Sequence, residues 1–350
     1  MNEREFVVQN LGEAIDRLVT LDIRAQGVIP HLYRAAREVT GGPLVLSAAV
    51  RLLQVAEQGS TVFICTGFCC PPEGLAETDG PVGSVVLARA LEVALGIHPV
   101  ILCEQEIIEP IAQMARCAGL HAYREPLEER CAKHAVTILP FTKDPRSAQK
   151  EARSLVQTWK PVAAVSVERP GHNKRHIYHM GNGVNVSEYA AKMDSLFELG
   201  TDMLTIGIGD LGNELGLGKI RESVEKYVLF GDKCQCSCGG GIAAAIQADN
   251  IIISSVSDWG AYALSAVIAF LTGESGALHN GDLERRLLRT GVEAGLVDGP
   301  SRYHIPQIDG MEERVHIRVT ETLKDIVEYA SVFPHRAPKS YELYAKMHGA

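Results

Sequence analysis

The sequence predicts an α/β fold, with a mostly parallel sheet and helices on both faces in a three-layer αβα arrangement. Short runs rich in valine and isoleucine recur along the chain and are apolar throughout, as in strands covered on both faces. Helical patterns separate these runs, and such alternation is typical of parallel sheets. No repeat or low-complexity linker interrupts the pattern, so we expect one domain over 1–350. It would comprise a helical part (1–55), a core (56–275) and C-terminal helices and loops (276–350).

The predicted elements form six pairs, each a buried strand followed by a helix. In chain order the pairs are 61–66 with 82–95, 99–103 with 107–117, 135–140 with 147–159, 162–167 with 188–199, 203–208 with 220–229, and 250–256 with 262–271. The N-terminal part and a closing helix over 320–329 are expected to pack on this core. The stretch 299–313 is predicted to be a loop, and its Pro and Gly content also suits a lid.

Composition narrows the class of partner. The chain has 350 residues and a formal net charge of −9, which disfavours nucleic acid and anionic membrane surfaces. No apolar run reaches the ~18 residues of a membrane span. The acidic start argues against a presequence, and nine cysteines, an odd number, fit free thiols in a reducing compartment better than a disulfide framework. We therefore expect a cytoplasmic protein that acts on a small molecule, as a monomer or as a homo-oligomer.

Polar residues collect where the predicted strands end. Ligands of open α/β sheets sit at the carboxyl ends of the strands. Any one carboxylate could be a helix cap or a solvated loop residue, but five strand ends carry them. The residues after these strands include Glu73, Glu77, Asp79, Glu104, Glu168, Arg169, Asp210, Glu214 and Asp258. Their coincidence predicts a pocket at this edge.

The most informative stretch is the glycine-rich run 207–219, between a predicted strand and helix. Glycines let backbone amides approach a ligand, and a helix N-terminus favours anions. Asp210 and Glu214 would repel a bare phosphate, however, so a metal ion, an ammonium group or proton transfer suits this loop better. The run matches the dinucleotide fingerprint only weakly, because Asp210 intrudes and no acidic residue ends a second strand at the expected distance. No NAD is expected.

Three further positions have two interpretations each. Asp79 could cap a helix or, with Asp210 or Glu214, hold a divalent cation through oxygen ligands. Arg169 could be a surface cation or a bidentate clamp for a carboxylate. Asp258 could cap the following helix, with Trp259 in the core, and this interpretation is slightly favoured over a role in the site.

The thiols of Cys234, Cys236 and Cys238 alternate along an extended segment and could bind a soft metal. The segment lacks a paired CxxC motif, so free surface thiols are favoured. The nearby histidines, His172, His176 and His179, have a spacing that fits no strong metal template, and a solvent-facing loop is expected there.

Three segments resemble the D-glutamate cyclase family, which corresponds to the C-terminal domain of an animal mitochondrial enzyme and includes stand-alone bacterial proteins. They are 66–81, 207–219 and 256–264, and Glu168-Arg169 and 185–197 are similar as well. The likeness runs from about Val62 to Leu271, and the middle motif is long and specific. The family usually has Asn where Asp258 stands, and 234–241 looks like a local elaboration.

The resemblance implies conversion of D-glutamate to 5-oxo-D-proline and water by attack of the α-amine on the γ-carboxyl. It implies Asp210, Glu214 and Asp79 as catalytic residues or as ligands of a divalent Mn or Mg ion. The substrate would be bound by Thr66, Gly67, Glu77, Arg169, Gly209, Gly212, Asn213, Lys219 and Asp258. The glycine amides would stabilise the oxyanion, and Arg169 or Lys219 would pair with a substrate carboxylate. The alternatives are a nucleotide- or phosphate-binding module and a metal-dependent hydrolase that uses the same carboxylates.

Overall fold

The computed structural model of the chain describes residues 2–125, 133–200 and 202–336, together with 342, 345 and 346. Seven parallel strands form the main sheet, in the order β5-β6-β4-β1-β7-β8-β9. The strands, with two short hairpins, are β1 (Thr61–Thr66), β2 (Cys69–Cys70), β3 (Leu75–Ala76), β4 (His98–Cys103), β5 (His121–Tyr123), β6 (Ala135–Pro140), β7 (Ala163–Val167), β8 (Leu204–Gly209), β9 (Asn250–Ile253), β10 (Gln307–Ile308) and β11 (Met311–Glu312).

The helices pack on both faces of this sheet. They are α1 (Glu3–Val19), α2 (Ile29–Thr40), α3 (Leu44–Val55), α4 (Pro81–Leu95), α5 (Ile108–Cys117), α6 (Pro145–Trp159), α7 (Asp194–Phe197), α8 (Arg221–Tyr227), α9 (Ser257–Thr272), α10 (Gly281–Glu293) and α11 (Glu313–Arg336). Within the described part of the chain, no helix is both long enough and apolar enough to cross a bilayer.

Alternation along the strands divides the core between the two faces. In β1, Val62 and Ile64 join the cluster that contains α4 and α9, whereas Phe63 and Cys65 point to the opposite side, towards Trp159 of α6. All six residues of β1 are buried. Both faces are therefore apolar, which is why these strands read as continuous hydrophobic runs, and the predicted α/β fold with helices on both faces is confirmed.

The predicted helix over 188–199 is wrong for most of its length, because only α7 is helical there. Long-range polar bonds replace the helical ones. The Ala191 amide donates to Glu104, the Ala191 carbonyl accepts from Arg169, and the Lys192 amide donates to the Thr142 carbonyl. The predicted 250–256 strand ends at Ile253, and the next helix begins at Ser257 rather than at 262.

The strand order places a switch point at β1. The chain first builds the sheet from β1 through β4 to β6 on one side and then crosses to β7, β8 and β9 on the other. A crevice opens at the carboxyl ends where the order reverses, and this is where ligands of such sheets bind. The loops after β1, β7, β8 and β9 converge at that edge.

Candidate functional site

A cavity of about 480 Å³ opens at this switch point. Its walls come from the loops after β1, β7 and β8, from the α1–α2 connection and from the β10–β11 region. The lining residues are Arg24, Gln26, Phe68, Glu77, Glu168, Met180, Gly181, Asn182, Asp210, Leu211, Asn213, Gly299, Pro300, Arg302 and Asp309. Four of these are carboxylic acids and two are arginines, so the cavity is strongly polar and acidic.

Arg24 joins two carboxylates at the centre of the cavity. Its guanidinium lies 2.9 Å from Asp210 Oδ2 and 2.9 Å from Asp309 Oδ2, and it also donates to the Ser255 carbonyl. Burial raises the pKa of Asp210 to about 7, against the opposing effect of Arg24. The pKa of Asp309 is likewise raised to about 7 by burial and by Asp210. Both acids can therefore exchange protons near neutral pH.

Asp309 reaches the cavity from the tip of a hairpin. Asp309 and Gly310 both have positive φ (54° and 76°) and join the paired strands β10 and β11. An Asp-Gly pair with two positive φ values is the preferred two-residue hairpin turn. The Thr78 hydroxyl donates to the Gln307 carbonyl at 2.7 Å and so fastens the hairpin to the loop after β1.

Glu214 shapes the glycine-rich loop from inside. Its Oε1 accepts the amides of Asp210 (3.1 Å) and Leu211 (2.9 Å), and its Oε2 accepts the amide of Gly212 (2.7 Å). Gly212 has a φ of 87°, and a Cβ there would collide with Val224, so only glycine suits the turn. The amides of this loop that could bind an anion therefore already donate to the chain's own carboxylate, Glu214.

Asp79 and Asp258 cap each other's helices. Asp79 accepts the amides of Ser257 (3.0 Å) and Asp258 (2.8 Å) at the start of α9. Asp258 accepts the amides of Gly80 (2.8 Å) and Gly83 (2.7 Å) at the start of α4. A carboxylate at a helix N-terminus is stabilised by the helix dipole. Asp258 thus caps α4 rather than its own helix, and Trp259 is fully buried in the core.

Glu168 and Glu77 add two further acids to the cavity wall. Glu168 ends β7 with a φ of 41° and accepts a hydrogen bond from the Ser257 hydroxyl. Burial raises the pKa of Glu168 well above its usual value, and the neighbouring carboxylates Glu214 and Asp210 raise it further. Burial and the Asp309 and Asp210 carboxylates do the same for Glu77. Like charges crowded in a buried site make each acid hold its proton more tightly.

Two trios of carboxylates share Asp210. Asp79, Asp210 and Asp309 each place an oxygen within 4.8 Å of the others, and so do Glu168, Asp210 and Glu214. Asp79 and Glu214 thus each lie close to Asp210, in different trios. Hard oxygen donors of this kind suit Mg²⁺ or Mn²⁺. The Oδ2 atom of Asp258 is buried without a hydrogen-bond partner among the described residues, and burial raises the pKa of this carboxyl well above its usual value.

The structure does not bring Arg169 or Lys219 to the cavity. Arg169 is fully buried and pairs with Glu104 at 2.5 Å, while its two terminal nitrogens also donate to the carbonyls of Gly67 and Ala191. Lys219 lies at the opposite edge of the sheet, where its Nζ donates to the Asp249 carbonyl at 2.6 Å beside a separate cavity of about 500 Å³. In these positions neither residue can pair with a ligand in the acidic cavity.

Of the other predicted residues, some line the cavity and some support its loops. Asn213 lines the cavity, and its Oδ1 is buried without a hydrogen-bond partner, so it can still accept a ligand donor. Thr66 also has an unpartnered buried hydroxyl, at the end of β1. Gly67 supplies a carbonyl to Arg169, and Gly209 packs so tightly on Glu214 that a Cβ would lie 2.5 Å from its Oε2. Both glycines therefore support the loops rather than contact the open cavity.

The favoured interpretation of the cysteine segment, free surface thiols, is correct only in part: the three thiols are free, and Cys236 and Cys238 are half-buried. Cys234 is buried, and the three thiols face one another and His179. His172 and His179 are also buried, at 6% and 0% exposure, so the expectation of a solvent-facing loop holds only for His176. The fold brings together residues more than fifty positions apart, and no local pattern in the sequence predicts such contacts.

Sequence reasoning missed Arg24, Asp309 and Arg302 and left Glu168 out of the predicted site. Glu168 could have been found, because it directly follows a buried strand. The Asp-Gly pair at 309–310 signals a hairpin, but it does not indicate where the hairpin docks. Arg24 lies 186 positions from Asp210, and no local pattern predicts that contact.

The fold and the site together define a parallel α/β protein with an acidic small-molecule cavity at its switch point. The family model described as D-glutamate cyclase-like, C-terminal, matches residues 15–324, and the chain belongs to this family. A curated relative is the human mitochondrial D-glutamate cyclase, 29% identical over 224 residues. That match covers 60% of this chain and 33% of the relative, so the chain corresponds to about a third of the longer protein.

Proposed function

We propose that the chain is a lyase of the D-glutamate cyclase type, which closes an acidic amino acid such as D-glutamate into 5-oxoproline with release of water. The observation that carries this proposal is a group of carboxylates at one small cavity. Glu77, Glu168, Asp210 and Asp309 line it, and Asp79 and Glu214 each place an oxygen within 4.8 Å of one from Asp210. Such an excess of carboxylates favours a ligand with an ammonium group. Family membership supports the same reaction class.

The reaction needs both a base and an acid. A nitrogen–carbon bond forms, a carbon–oxygen bond breaks, and two of the three ammonium protons leave with the oxygen as water. Asp210, with a pKa of about 7, is suited to take a proton from the ammonium near neutral pH. Glu168, whose pKa is raised well above its usual value, is suited to hold a proton for the departing oxygen. The site would thus move protons from nitrogen to oxygen between neighbouring carboxyl groups.

Substrate carboxylates need a cation, and Arg302 is the best candidate. It lines the cavity, and its Nη2 contacts the Met180 sulfur at 3.5 Å. Among the described residues no carboxylate pairs with it, whereas Arg24 already has Asp210 and Asp309. Arg302 would therefore take the role that the sequence assigned to Arg169 or Lys219. Asn213 Oδ1 would accept from the ammonium.

A divalent cation fits the donor set. Asp79, Asp210 and Asp309 would hold Mn²⁺ or Mg²⁺ through single oxygens. When bound, the ion would offset the charge of the γ-carboxylate and make it a better electrophile. Arg24 already occupies one side of Asp210 and Asp309, so the ion would have to approach from the Asp79 side.

The phosphate-binding alternative is disfavoured by Glu214. The amides that would bind a phosphate already donate to this buried carboxylate. A phosphate would have to displace Glu214 and then face Asp210, Glu168 and Asp309. The repulsion between those charges in a buried site makes that exchange unfavourable.

The test is to incubate the purified chain with D- or L-glutamate, with and without Mn²⁺, and to measure 5-oxoproline. We expect turnover with one enantiomer, and Asp210→Asn should reduce it at least about 100-fold because a general base is lost. Asp282→Asn, at a side chain 91% exposed, is the matched control and should keep full activity. Absence of product with both enantiomers, with and without Mn²⁺, or normal turnover in Asp210→Asn, contradicts the proposal.

A further inference from the structure

The loop between α8 and β9 brings three thiols to one histidine. The sulfur of Cys234 lies 3.5 Å from that of Cys236 and 3.3 Å from that of Cys238. His179 Nε2 lies 3.3 Å from Cys236 Sγ and 3.6 Å from Cys238 Sγ. We propose that these four side chains form a structural zinc site, separate from the acidic cavity and independent of the function proposed above.

The distances match the edges of a zinc tetrahedron. Zinc binds sulfur at about 2.3 Å and imidazole nitrogen at about 2.0–2.1 Å, which sets the edges of a Cys₃His tetrahedron near 3.5–3.8 Å. The four measured edges run from 3.3 to 3.6 Å. The sulfurs are too far apart for disulfides, whose S–S bond is about 2.05 Å. All four ligand atoms lie within 4.8 Å of one another, so one ion can reach them all.

The donor set selects the metal and its role. Thiolate and imidazole are the ligands of zinc rather than of Mg²⁺ or Mn²⁺. Three cysteines and a histidine fill all four positions and leave none for a water or substrate, as in structural rather than catalytic sites. Two N–H groups also point at Cys238 Sγ, from Gly240 (3.4 Å) and from Asn173 Nδ2 (3.6 Å). Such donors stabilise a thiolate.

The site would hold a segment that has no helix or strand of its own. Residues 228–249 link α8 to β9, and irregular connections this long are uncommon in compact domains unless they serve a function. Gly241, with a φ of 70°, passes so close to the Gly231 carbonyl that a side chain would collide. A metal ion would fix this path further, because its four bonds would add to the hydrogen bonds that already hold the loop.

The zinc site would also fix one wall of the acidic cavity. His179 immediately precedes the lining residues 180–182, and its carbonyl accepts from Asn213 Nδ2 at 3.0 Å. Gln235, which lies between Cys234 and Cys236, donates from its side chain to the Asn182 carbonyl (2.9 Å) and from its amide to the Gly183 carbonyl (3.2 Å). Zinc would therefore keep this wall in place without touching a ligand.

The first test is the metal content of the full chain, purified without chelators and measured by plasma mass spectrometry. We expect about one zinc per chain. Cys236→Ser and Cys238→Ser should each lower it at least about tenfold. Cys117→Ser, which changes a thiol in α5 outside the cluster, is the matched control and should keep the full amount. His179→Cys restores a four-ligand set and should retain zinc, whereas His179→Ala should not.

A second measurement covers the case in which the serine variants fail to fold. Replacing zinc with Co²⁺ in the unaltered protein should produce thiolate-to-cobalt charge-transfer bands and the visible bands of a tetrahedral ion. Folded protein that contains no zinc and takes none up from added ZnCl₂ overturns the proposal. Full zinc in Cys236→Ser/Cys238→Ser, or a disulfide among these cysteines in freshly purified protein, does so as well.

Discussion

Two groups of charged side chains lie next to each other at the carboxyl edge of the sheet and differ in how their charges are balanced. Glu104 and Arg169 pair at 2.5 Å, both at 0% exposure, and the carbonyls of Gly67 and Ala191 accept from the two terminal nitrogens of Arg169. Among the described residues, Arg169 Nε and Glu104 Oε2 have no hydrogen-bond partner. In the neighbouring cavity, Arg24 faces Asp210 and Asp309, with Glu168 and Glu77 close by. The first group is neutral, and the second carries an excess of acid.

The difference separates support from function. A buried pair that is balanced in net charge needs no ion from outside the protein, although losing one partner leaves a buried charge. The cavity instead raises the pKa of Glu77, Glu168, Asp210 and Asp309, which means that their charged forms are disfavoured until a cation arrives. Excess charge of one sign in a concave site is thus evidence for a cationic ligand.

The largest effect is expected from a substitution that breaks the Glu104–Arg169 pair. Arg169→Met leaves Glu104 as a lone buried charge and should lower the free energy of unfolding by about 3–5 kcal/mol, measured by urea denaturation. Glu104→Gln should cost a similar amount. The double variant should cost less than the sum, because neither charge then remains unpaired.

The matched control for this pair is a solvent-exposed ion pair. Arg116 and Glu109 lie 3.4 Å apart with side chains 53% and 47% exposed, so Arg116→Met should change stability by less than about 1 kcal/mol. If Arg169→Met were as mild as Arg116→Met, the view that the Glu104 pair supports the fold would have to be abandoned.

A smaller effect is expected at the mouth of the acidic cavity. Arg302→Met should raise the KM for the amino acid about 10- to 100-fold, the cost of about 1.5–3 kcal/mol for a charged hydrogen bond. The kcat should change little if the contact is equal in the ground and transition states. Steady-state kinetics separate the two. Arg285→Met, on α10, is the control, and equal KM values in both variants would exclude Arg302 as the carboxylate partner.

Most of the sheet could be predicted because its strands are buried on both faces. β1 and β6 were placed at their exact bounds from apolar runs alone. β5 was missed, since its three residues are exposed or half-buried. The predicted helix at 188–199 failed because Arg169 and Glu104, distant in sequence, take the backbone groups of Ala191. Local propensity cannot foresee such competition.

The site was predictable where chemistry follows a strand directly. Asp79, Asp210 and Glu214 were chosen on that basis, and Asp79 and Glu214 each place an oxygen within 4.8 Å of one from Asp210. Arg24 and Asp309 were not, because a connection between two helices and a distant hairpin carry them in. Predicted roles also depend on contacts: Glu214 is bound to three amides of its own loop, which only coordinates reveal.

A further expected effect, at Asp309, concerns the sign of a pH dependence. The folded-state pKa of Asp309 is about 7, above its ordinary value of 3.8, so the folded protein holds this proton over a range in which the unfolded chain has lost it. Stability should therefore fall as pH rises from about 4 to about 7, by at most about 1.4 kcal/mol per pH unit for one proton. Asp309→Asn removes that titrating proton and should flatten the dependence of the free energy of unfolding on pH. The stability of the variant relative to the unaltered protein should therefore increase towards neutral pH.

Asp144 provides a control of opposite sign. It caps α6 by accepting the Arg146 amide at 3.0 Å, and this hydrogen bond is the main reason why its pKa is lowered. Its contribution is present above the unfolded pKa and lost as pH falls, so Asp144→Asn should lose most at neutral pH, where Asp309→Asn gains. Urea unfolding of both variants between pH 4 and 8 distinguishes the two trends. Parallel curves for the variants would mean that the cavity carboxylates are no more strained than a surface cap, and the contrast between the two regions would then lose its basis.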